Sequence, residues 1–257
     1  MYDLEIRRRA LSLVSTGHSL NSVSKITGVS RSTLRDWRSG VEPVGPRACA
    51  RCESPARTPR PATAYAYAYL LGLYLGDGCL SAQPRGVYAL RIACADAWPG
   101  LIESCEAAIR AIHPDNAVCR VRRGGCTMVT STSKHWPCLF PQHAAGKKHE
   151  RRIALEPWQR EIVDAHPWEF IRGLIHSDGC RITNWTEKVI GGELKRYEYP
   201  RFFFTNKSVD ILKLFGDALD SVGVEWKLAR RSNGAYNVSV ARRASVALMD
   251  LHVGPKY

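Results

Sequence analysis

The chain has 257 residues, of which 45% are hydrophobic and 24% charged, and 37 Lys and Arg against 24 Asp and Glu give a formal charge of +13. The length supports one large domain or two smaller ones, and the composition supports a packed core, which excludes general disorder. The longest apolar run, residues 64–75, is too short to span a membrane, and the first 13 residues lack the apolar segment of a signal peptide. Membrane-spanning and secreted disulfide-rich proteins are therefore excluded, and we expect a cytoplasmic, nucleoid-associated bacterial protein with reduced thiols. The basic charge favours nucleic acid as a partner, although an ordinary basic protein is the alternative.

The first forty residues carry the pattern of a small helical domain. Apolar residues at helical spacing predict a first helix that ends near Gly17, and Ser19 is the predicted N-cap of a short second helix. Gly28 follows at a turn, and Ser30 is the predicted N-cap of a third helix over residues 31–39.

This helical pattern resembles the helix-turn-helix family found in transposases and resolvases. Ser24, Gly28 and Leu34 match its spacing, because a small residue lets two helices approach, a glycine permits the turn and a leucine anchors the second helix. The resemblance implies a DNA-binding domain at residues 1–40, and a helical hairpin used for packing or dimerisation is the alternative. The residues assigned to DNA on the third helix are Arg31, Ser32, Thr33, Arg35 and Arg38.

A proline-rich linker is predicted at residues 41–63, where five prolines favour an extended connection. It contains Cys49 and Cys52 in a CxxC spacing, which is half of a structural zinc site. Because a second pair at suitable spacing is absent from the sequence, an unmetallated pair is favoured over zinc.

The rest of the chain contains an internal repeat. Residues 70–78 read LLGLYLGDG and residues 171–179 read IRGLIHSDG, and the matching positions are 101 residues apart. The matched residues are Gly72, Leu73, Asp77 and Gly78 in the first copy and Gly173, Leu174, Asp178 and Gly179 in the second.

The same order of predicted elements follows each copy: a hairpin, a helix, a second hairpin and a closing helix. In the first copy, strands are predicted at residues 79–82, 87–94, 117–122 and 126–132, with a helix at 98–112. In the second copy, strands are predicted at residues 180–185, 200–205, 224–230 and 236–240, with helices at 208–222 and 242–251.

These two motifs and the repeated elements resemble the LAGLIDADG homing endonuclease family in its single-chain form. The resemblance covers about residues 64–257 and implies an α+β fold, a duplicated αββαββα unit with copies at 64–164 and 165–257. In the family, two antiparallel sheets form a saddle over double-stranded DNA, and the motif helices pack at a pseudo-twofold axis. A monomer with internal pseudo-twofold symmetry is therefore expected.

The small residues of the motifs explain how two such helices can pack. Small side chains four residues apart lie on one helical face and let two backbones approach closely. The pairs are Gly72 with Gly76 and Gly173 with Ser177. The glycines that follow the two aspartates, Gly78 and Gly179, are predicted to adopt the left-handed conformation that ends a helix.

The motif aspartates are the candidate catalytic and metal-binding residues. Asp77 and Asp178 are predicted at the C-terminal ends of paired helices, where the helix dipole and the carboxylates both favour a cation. The resemblance implies Mg²⁺ or Mn²⁺ there, held by these two residues together with Gly76 and Ser177, for metal-assisted phosphodiester cleavage. The alternative is a pair of capping aspartates in an inactive scaffold.

The resemblance also implies basic residues near the metals. Matching the two copies places Lys134 and Arg242 at equivalent points, where the last strand of each copy meets the following helix, although ordinary phosphate anchors or solvated charges are the alternative. Six further basic residues on or beside strands are assigned to the DNA backbone, namely Arg120, Arg122, Arg123, Lys227, Arg230 and Arg231.

Two histidine features have structural interpretations that are favoured over functional ones. The segment from His135 to His149 contains histidines and Cys138 without the spacing of a common zinc site, and a packed basic loop is favoured. His176 in the second motif is predicted to be a helix-packing residue.

Three functions agree with the sequence. The first is a DNA endonuclease, which the presence of both Asp77 and Asp178 favours. The second is a non-cleaving DNA-binding regulator, as in the bacterial sporulation regulators that resemble this family but have lost the acids. The third is an RNA-splicing maturase on the same scaffold.

Overall fold

The structure, a computed structural model, describes residues 4–39 and 61–257. The chain divides into two compact units, and the two described ranges belong to different units. The predicted CxxC pair, Cys49 and Cys52, and most of the predicted linker lie outside the described residues.

The described residues of the N-terminal unit form three helices, α1 (Leu4–Ser15), α2 (Leu20–Thr27) and α3 (Arg31–Arg38). The predicted N-caps are confirmed, because the Ser19 side chain accepts a hydrogen bond from the amide of Ser22 and Ser30 accepts one from Thr33. The turn between α2 and α3 uses Gly28 in the left-handed conformation. The three helices enclose a small core of Ala10, Val23, Val29 and Leu34, each fully buried.

The larger unit contains the duplicated elements. The first copy comprises α4 (Pro61–Asp77), β1 (Gly78–Gln83), β2 (Val87–Ala95), α5 (Pro99–Ile112), β3 (Val118–Arg123) and β4 (Cys126–Ser133). A connector follows, with the short helix α6 (Trp136–Leu139), a 3₁₀ turn at Lys148–Glu150 and α7 (Pro157–Ala165). The second copy comprises α8 (Pro167–Asp178), β5 (Gly179–Ile190), β6 (Glu193–Asn206), α9 (Val209–Ser221), β7 (Lys227–Arg230), β8 (Tyr236–Val240) and α10 (Arg243–His252).

Each copy builds one four-stranded antiparallel sheet, so the predicted α+β class is confirmed. The strand orders are β1-β2-β4-β3 and β5-β6-β8-β7, which are the same topology twice. One face of each sheet packs on the helices through alternating buried residues such as Ile92, Val129, Phe204 and Val238. The opposite face of each sheet, which we call the outer face, points away from the helices.

The two motif helices, α4 and α8, pack against each other at the centre of one continuous core. Their contact is between backbones, since a Cβ atom added to Gly72 would lie 2.8 Å from the Cα atom of Gly173 and 2.6 Å from the carbonyl oxygen of Phe170. The close approach predicted from small residues is therefore present, and the same residues explain why both copies contain a glycine here.

Two predictions about the second copy and the motif ends are wrong. Gly78 and Gly179 are not left-handed: Gly179 has φ −103° and ψ 171°, and Gly78 is absent from the residues with positive φ. They are glycines because a Cβ atom would contact the preceding helical turn, 2.5 Å from Tyr74 Cα and 2.7 Å from Ile175 Cα.

The first hairpin of the second copy is also much longer than predicted, because polar residues continue to pair past residue 185.

No helix within the described ranges is long and apolar enough to cross a membrane. The seven cysteines in those ranges are free thiols.

Candidate functional site

The two motif aspartates lie side by side at the end of the helix pair. Asp77 is the last residue of α4 and Asp178 the last residue of α8, and a Cβ atom added to Gly76 would lie 3.3 Å from Asp178 Oδ2. Asp77 is exposed and Asp178 is half-buried. Asn206, at the end of β6, donates a hydrogen bond from Nδ2 to Asp178 Oδ2 over 2.7 Å. The folding of two repeats against each other thus brings together carboxylates that are 101 positions apart.

The surroundings of the carboxylates disfavour their charge. Partial loss of hydration raises the pKa of Asp77, although Lys256 and Lys148 oppose this shift. Burial and then the negative charge of Asp77 raise the pKa of Asp178 to about 6, against Lys148, Asn206 and Lys256. Two carboxylates that repel each other in a partly dehydrated site are a pair that a divalent cation would stabilise.

Lys148, from the connector, caps the end of the first motif helix. Its ammonium donates hydrogen bonds to the carbonyl oxygens of Tyr74, Leu75 (3.0 Å) and Gly76 (2.9 Å), so all three of its protons are used. The ammonium also lies 5.0 Å from the centre of the Tyr74 ring. Burial lowers the pKa of Lys148 to about 8, while Asp178 and Asp77 act in the opposite direction. This lysine therefore lies next to both motif carboxylates.

Lys256 has the equivalent role at the second motif helix. Its ammonium donates a hydrogen bond to the carbonyl oxygen of Ser177 over 2.8 Å, and Asp77 and Asp178 are among the acids near it. Burial lowers the pKa of Lys256. The next residue, Tyr257, bonds through its carbonyl oxygen to the Leu101 amide (3.2 Å) and through its hydroxyl to Ser104 (3.0 Å) on α5. The C-terminal segment of the second copy is thereby held on the first.

Sequence reasoning placed Lys148 in a basic connector loop without assigning it to the site, and it did not identify Lys256. Lys148 follows the last strand of the first copy and Lys256 follows the last strand of the second, so each copy supplies one lysine to the end of its own motif helix. Their spacing from the aspartates differs between the copies, chiefly because the first hairpin of the second copy is longer. The only signal in the sequence was that each copy has a lysine after its last hairpin.

The lysine and arginine chosen from the sequence lie elsewhere. Arg242 precedes α10 and donates a hydrogen bond to Glu225 Oε1 over 2.8 Å, and its side chain is 72% exposed. Lys134 is exposed just after β4. Neither is among the charged groups that shift the pKa of Asp77 or Asp178. Their catalytic role stays a prediction.

A cavity of about 740 Å³ opens beside the carboxylates. Its walls are the end of α4, the connector loop at residues 143–151, and residues 205–207 at the end of β6, so both copies and the connector contribute to it. Arg151 holds the loop by donating to the carbonyl oxygens of Ala144, Ala145 (3.3 Å) and Gly146 (3.1 Å). The lining is basic, with Lys147, Lys148, Arg151 and Lys207 among its residues, which suits an anionic ligand.

The outer faces of the sheets carry a second set of basic residues. The strand registers place six cations on these faces against one acid, Glu193, within residues 61–257. The six are Arg91, Arg123, Lys188, Lys195, Arg201 and Lys227. Sequence reasoning identified only Arg123 and Lys227 among them, since the face of a residue depends on a register that the sequence did not specify.

The other basic residues assigned to DNA have different positions. Arg120 and Arg122 alternate onto the helix side of β3, where Arg120 Nε donates to Glu106 Oε2 over 2.7 Å. Arg230 is on the helix side of β7, and Arg231 lies in the β7–β8 turn. In the N-terminal unit, Arg31, Ser32, Arg35 and Arg38 are exposed on α3, while Thr33 is half-buried and bonded to Ser30.

The structure describes the segment from His135 to His149 and also His176, for which structural roles were predicted. Within the described residues, no group of three or more His, Cys, Asp or Glu side chains is arranged to hold a metal ion, and this range includes the segment from His135 to His149. His176 is 1% exposed, and its Nδ1 is hydrogen bonded to the Tyr69 hydroxyl over 2.9 Å. Burial, with Arg172 and Lys256 nearby, lowers the pKa of His176 to about 4. It is the helix-packing residue that was predicted.

Comparison with solved structures shows the fold. The chain is similar to mesophilic variants of the homing endonuclease I-DmoI, at 17% identity and a TM-score of 0.51 over 75% of this chain and 97% of that one. It is similar to I-DmoI in complex with DNA and Mn (16% identity, TM-score 0.51, 76% and 99% covered) and with DNA and Ca (19%, 0.50, 74% and 90%). No family model and no curated protein sequence matches the chain. At this identity the likeness establishes the fold alone, and it confirms the LAGLIDADG-type architecture implied by the two motifs.

Proposed function

We propose that this chain, which has the LAGLIDADG homing endonuclease fold, binds double-stranded DNA and cleaves both strands with Mg²⁺ or Mn²⁺. The observation that carries the proposal is the pair of carboxylates, Asp77 and Asp178, side by side at the ends of two packed helices. A scaffold that only bound DNA would have no need of two partly dehydrated acids that repel each other. The similar protein I-DmoI has been solved with DNA together with Mn, Ca or Mg, which supports a divalent metal here.

The residues at the site fit such a metal. Mg²⁺ takes few protein ligands, prefers carboxylate oxygens and completes its shell with water and phosphate oxygens, which two aspartates beside an open cavity permit. The carbonyl oxygens of Gly76 and Ser177, also predicted as ligands, each accept a hydrogen bond from a lysine. A bound metal ion would supply Lewis-acid stabilisation of the phosphate and an activated water.

The two lysines act on the phosphate in this proposal. Lys148 and Lys256 are held by helix-end carbonyls at the carboxylates, so their positive charge is in place before DNA binds. Their role is to stabilise the charge that develops on a phosphate oxygen when the bond to the leaving oxygen breaks. The pseudo-twofold relation supplies one lysine and one aspartate to each DNA strand.

The outer faces of the sheets and the N-terminal unit supply binding. Six cations on the outer faces suit the phosphate backbone, and α3 exposes a polar and basic surface suited to the major groove. We assign the N-terminal unit to DNA binding as a helix-turn-helix domain that adds affinity. The functional molecule is a monomer, because one chain contains both halves of the site.

The test begins with selection of a target. The purified full chain is incubated without divalent metal with a pool of duplexes that contain about 40 random base pairs, and bound DNA is recovered and sequenced. Mg²⁺ is then added to the recovered duplex, and both strands are examined for cleavage. We expect cleavage of both strands near the centre of the bound site.

Two variants serve as controls for the chemistry. Asp77→Asn and Asp178→Asn should bind the same duplex but lose cleavage by at least about a hundredfold, since each removes a carboxylate from the metal site. Binding without any nick by the wild type would refute the endonuclease and leave a DNA-binding regulator. Enrichment of structured RNA over duplex DNA in a parallel pool would favour a maturase.

A further inference from the structure

The two lysines of the site are held in different ways. Lys148 donates hydrogen bonds to three carbonyl oxygens at the end of α4, and its loop is fixed by Arg151, which donates to the carbonyl oxygens of residues 144–146. Within the described residues, Lys256 donates to one carbonyl oxygen, that of Ser177. The contacts of its own ammonium group therefore restrict Lys256 less than those of Lys148 restrict Lys148.

The backbone after α10 turns Lys256 toward the second motif helix. Gly254 has φ 70°, and its amide donates a hydrogen bond to the carbonyl oxygen of Met249 over 3.0 Å, which ends the helix. Pro255, with its restricted φ, precedes the lysine. Residues 254–257 belong to no helix or strand, so the position of Lys256 depends on contacts made by its neighbours.

Tyr257 supplies such contacts, and all of them are to the first copy. Its carbonyl oxygen accepts a hydrogen bond from the amide of Leu101 over 3.2 Å, and its hydroxyl is hydrogen bonded to Ser104 Oγ over 3.0 Å. Its ring packs against Gly100, where an added Cβ atom would overlap ring atoms Cδ2 and Cε2. These three residues lie in the first two turns of α5, so the segment that contains Lys256 is attached to α5 at three points.

The ring of Tyr257 also lies near the second motif helix. Its centre is 6.4 Å from that of the His176 ring, in an edge-to-face arrangement, and His176 is fixed by its hydrogen bond to Tyr69 of α4. Tyr257 thus lies close to α5 and α8 at the same time. Because neighbouring Cα atoms are separated by a fixed distance of about 3.8 Å, a fixed Tyr257 restricts Lys256 as well.

The residue that follows Lys148 has a different environment. It is His149, whose Nε2 atom lies 3.7 Å from Glu150 Oε1 in its own loop. The first lysine is therefore held within its own copy, whereas the second is held through a neighbour attached to the other copy.

We propose that Tyr257 is a positioning residue for Lys256, so that cleavage of one DNA strand depends on the contact between Tyr257 and α5 while cleavage of the other DNA strand does not. Tyr257 acts through Lys256: without the contact, the ammonium group is no longer in place before DNA binds, and its stabilisation of the developing charge is weakened. The inference rests on the proposed function, in which each lysine serves one DNA strand.

The first test follows the two DNA strands separately. The full chain and its variants cleave the selected duplex in single-turnover reactions with a different label on each DNA strand. Tyr257→Ala should slow cleavage of one DNA strand at least about tenfold and of the other less than twofold, so that nicked duplex accumulates. The slowed DNA strand should be the one that Lys256→Met also slows, and not the one that Lys148→Met slows. Tyr257→Phe, which keeps the ring, should stay within about threefold of the wild type on both DNA strands.

A substitution on α5 disturbs the same contact from the other side. Gly100→Ala places a methyl group where the Tyr257 ring lies, and Gly100 is a helical residue without positive φ, so its backbone accepts alanine. We expect it to slow the same DNA strand as Tyr257→Ala and to have no further effect when the two substitutions are combined, because both remove one contact. The control is Leu251→Ala on α10, whose side chain is 76% exposed, and it should leave cleavage of both DNA strands unchanged.

A second measurement reports the position of Lys256 without DNA. The free protein is labelled with a limiting amount of acetic anhydride, and the acetylation of each lysine is quantified by mass spectrometry. Tyr257→Ala should raise the acetylation of Lys256 about threefold or more, because its ammonium group leaves the Ser177 carbonyl oxygen, and should leave Lys148 unchanged.

Three results would overturn the inference. These are equal slowing of both DNA strands by Tyr257→Ala, wild-type cleavage of both DNA strands by that variant, and unchanged acetylation of Lys256. If the wild type never cuts a bound duplex but the acetylation of Lys256 rises in the variant, the endonuclease proposal fails while the positioning of Lys256 by Tyr257 is supported. If the wild type cuts both DNA strands and neither depends on Tyr257, the endonuclease proposal stands and the positioning role fails.

Discussion

At the scale of single residues, the site is defined by two lysines and two aspartates that lie close to one another. Two lysines use their protons on helix-end carbonyl oxygens, and two aspartates share the space beside them. A carbonyl oxygen at a helix end has no partner in its own helix, so each lysine satisfies a group that the fold would otherwise leave unpaired.

Replacement of Lys148 by methionine tests this double role. We expect Lys148→Met to lower the free energy of unfolding by about 1–3 kcal/mol, because three carbonyl oxygens lose their donor, and to slow cleavage at least about tenfold. Chemical denaturation and single-turnover cleavage measure the two effects. The control is Lys147→Met in the same loop, whose side chain is 72% exposed and bonds Glu150 over 3.3 Å, and it should change stability by less than about 0.5 kcal/mol. Equal losses in the two variants would contradict the assignment.

The carboxylate pair should be unfavourable for folding when metal is absent. Because the pKa of Asp178 is raised to about 6, the stability that its protonated form supports at low pH is lost as the pH rises through that value. In EDTA at neutral pH, the free energy of unfolding of Asp178→Asn should therefore exceed that of the wild type by about 1–2 kcal/mol, as chemical denaturation measures, and the same variant should not cleave DNA. The difference should shrink below about pH 5, where the carboxyl group is protonated in the wild type as well. If Asp178→Asn is less stable than the wild type at neutral pH, the charged carboxylate of Asp178 does not destabilise the fold.

At the scale of elements, the contact between α4 and α8 sets the geometry of the site. The two helices touch through glycine backbones, and this contact brings their C-terminal aspartates together. A larger side chain where α4 and α8 cross would move the C-terminal ends of the two helices apart. The packing of the helices and the geometry of the carboxylates are therefore coupled.

An alanine at the crossing should be strongly destabilising. A Cβ atom on Gly173 would lie 2.9 Å from the Cα atom of Gly72, and the opposing atoms are backbone that cannot rotate away. We expect Gly173→Ala to cost about 3 kcal/mol or more in thermal or chemical unfolding. Gly124→Ala is the control, because a Cβ atom there meets nothing within 4 Å and its φ is not positive, and it should cost less than about 0.5 kcal/mol. If Gly173→Ala leaves the free energy of unfolding unchanged, the two helices are not in backbone contact.

At the scale of the whole molecule, the proposed function divides DNA binding between the two units and assigns cleavage to the duplicated one. Residues 1–60 contain 11 basic and 5 acidic residues, so about half of the +13 charge lies outside the duplicated unit. The duplicated unit contains both aspartates, both lysines and the outer faces of the sheets.

Charge removal from α3 should therefore weaken binding without moving the cut. In the full chain, Arg31→Ala together with Arg35→Ala should reduce affinity roughly tenfold at physiological salt and lower the salt slope by about 2, while the cleaved bonds stay the same. The matched control is Arg8→Ala with Arg9→Ala, two exposed arginines of α1, which should have a smaller effect. Affinity measured at several salt concentrations and mapping of the cleaved ends decide the outcome.

The sequence by itself determined the elements and the duplication. Hydrophobic periodicity located strands such as Val87–Ala95 and helices such as Pro99–Ile112 within one or two residues, since these patterns are local. The repeated Asp-Gly at one offset identified both carboxylates, because a duplicated fold places equivalent residues at equivalent ends. The part of the second copy's first hairpin beyond residue 185 was not predicted, because exposed polar residues in a strand leave no alternation of apolar residues to detect.

Only the tertiary structure decided which cations belong to the site. Lys148 reaches the carboxylates from the connector and Lys256 from the segment after α10, and neither segment has a periodicity that would predict where its side chain ends. The face occupied by Arg120 or Arg201 depends on strand register, and a shift of one residue reverses it. Local patterns thus determined the strands and helices, while the burial of two copies against each other determined which charges meet.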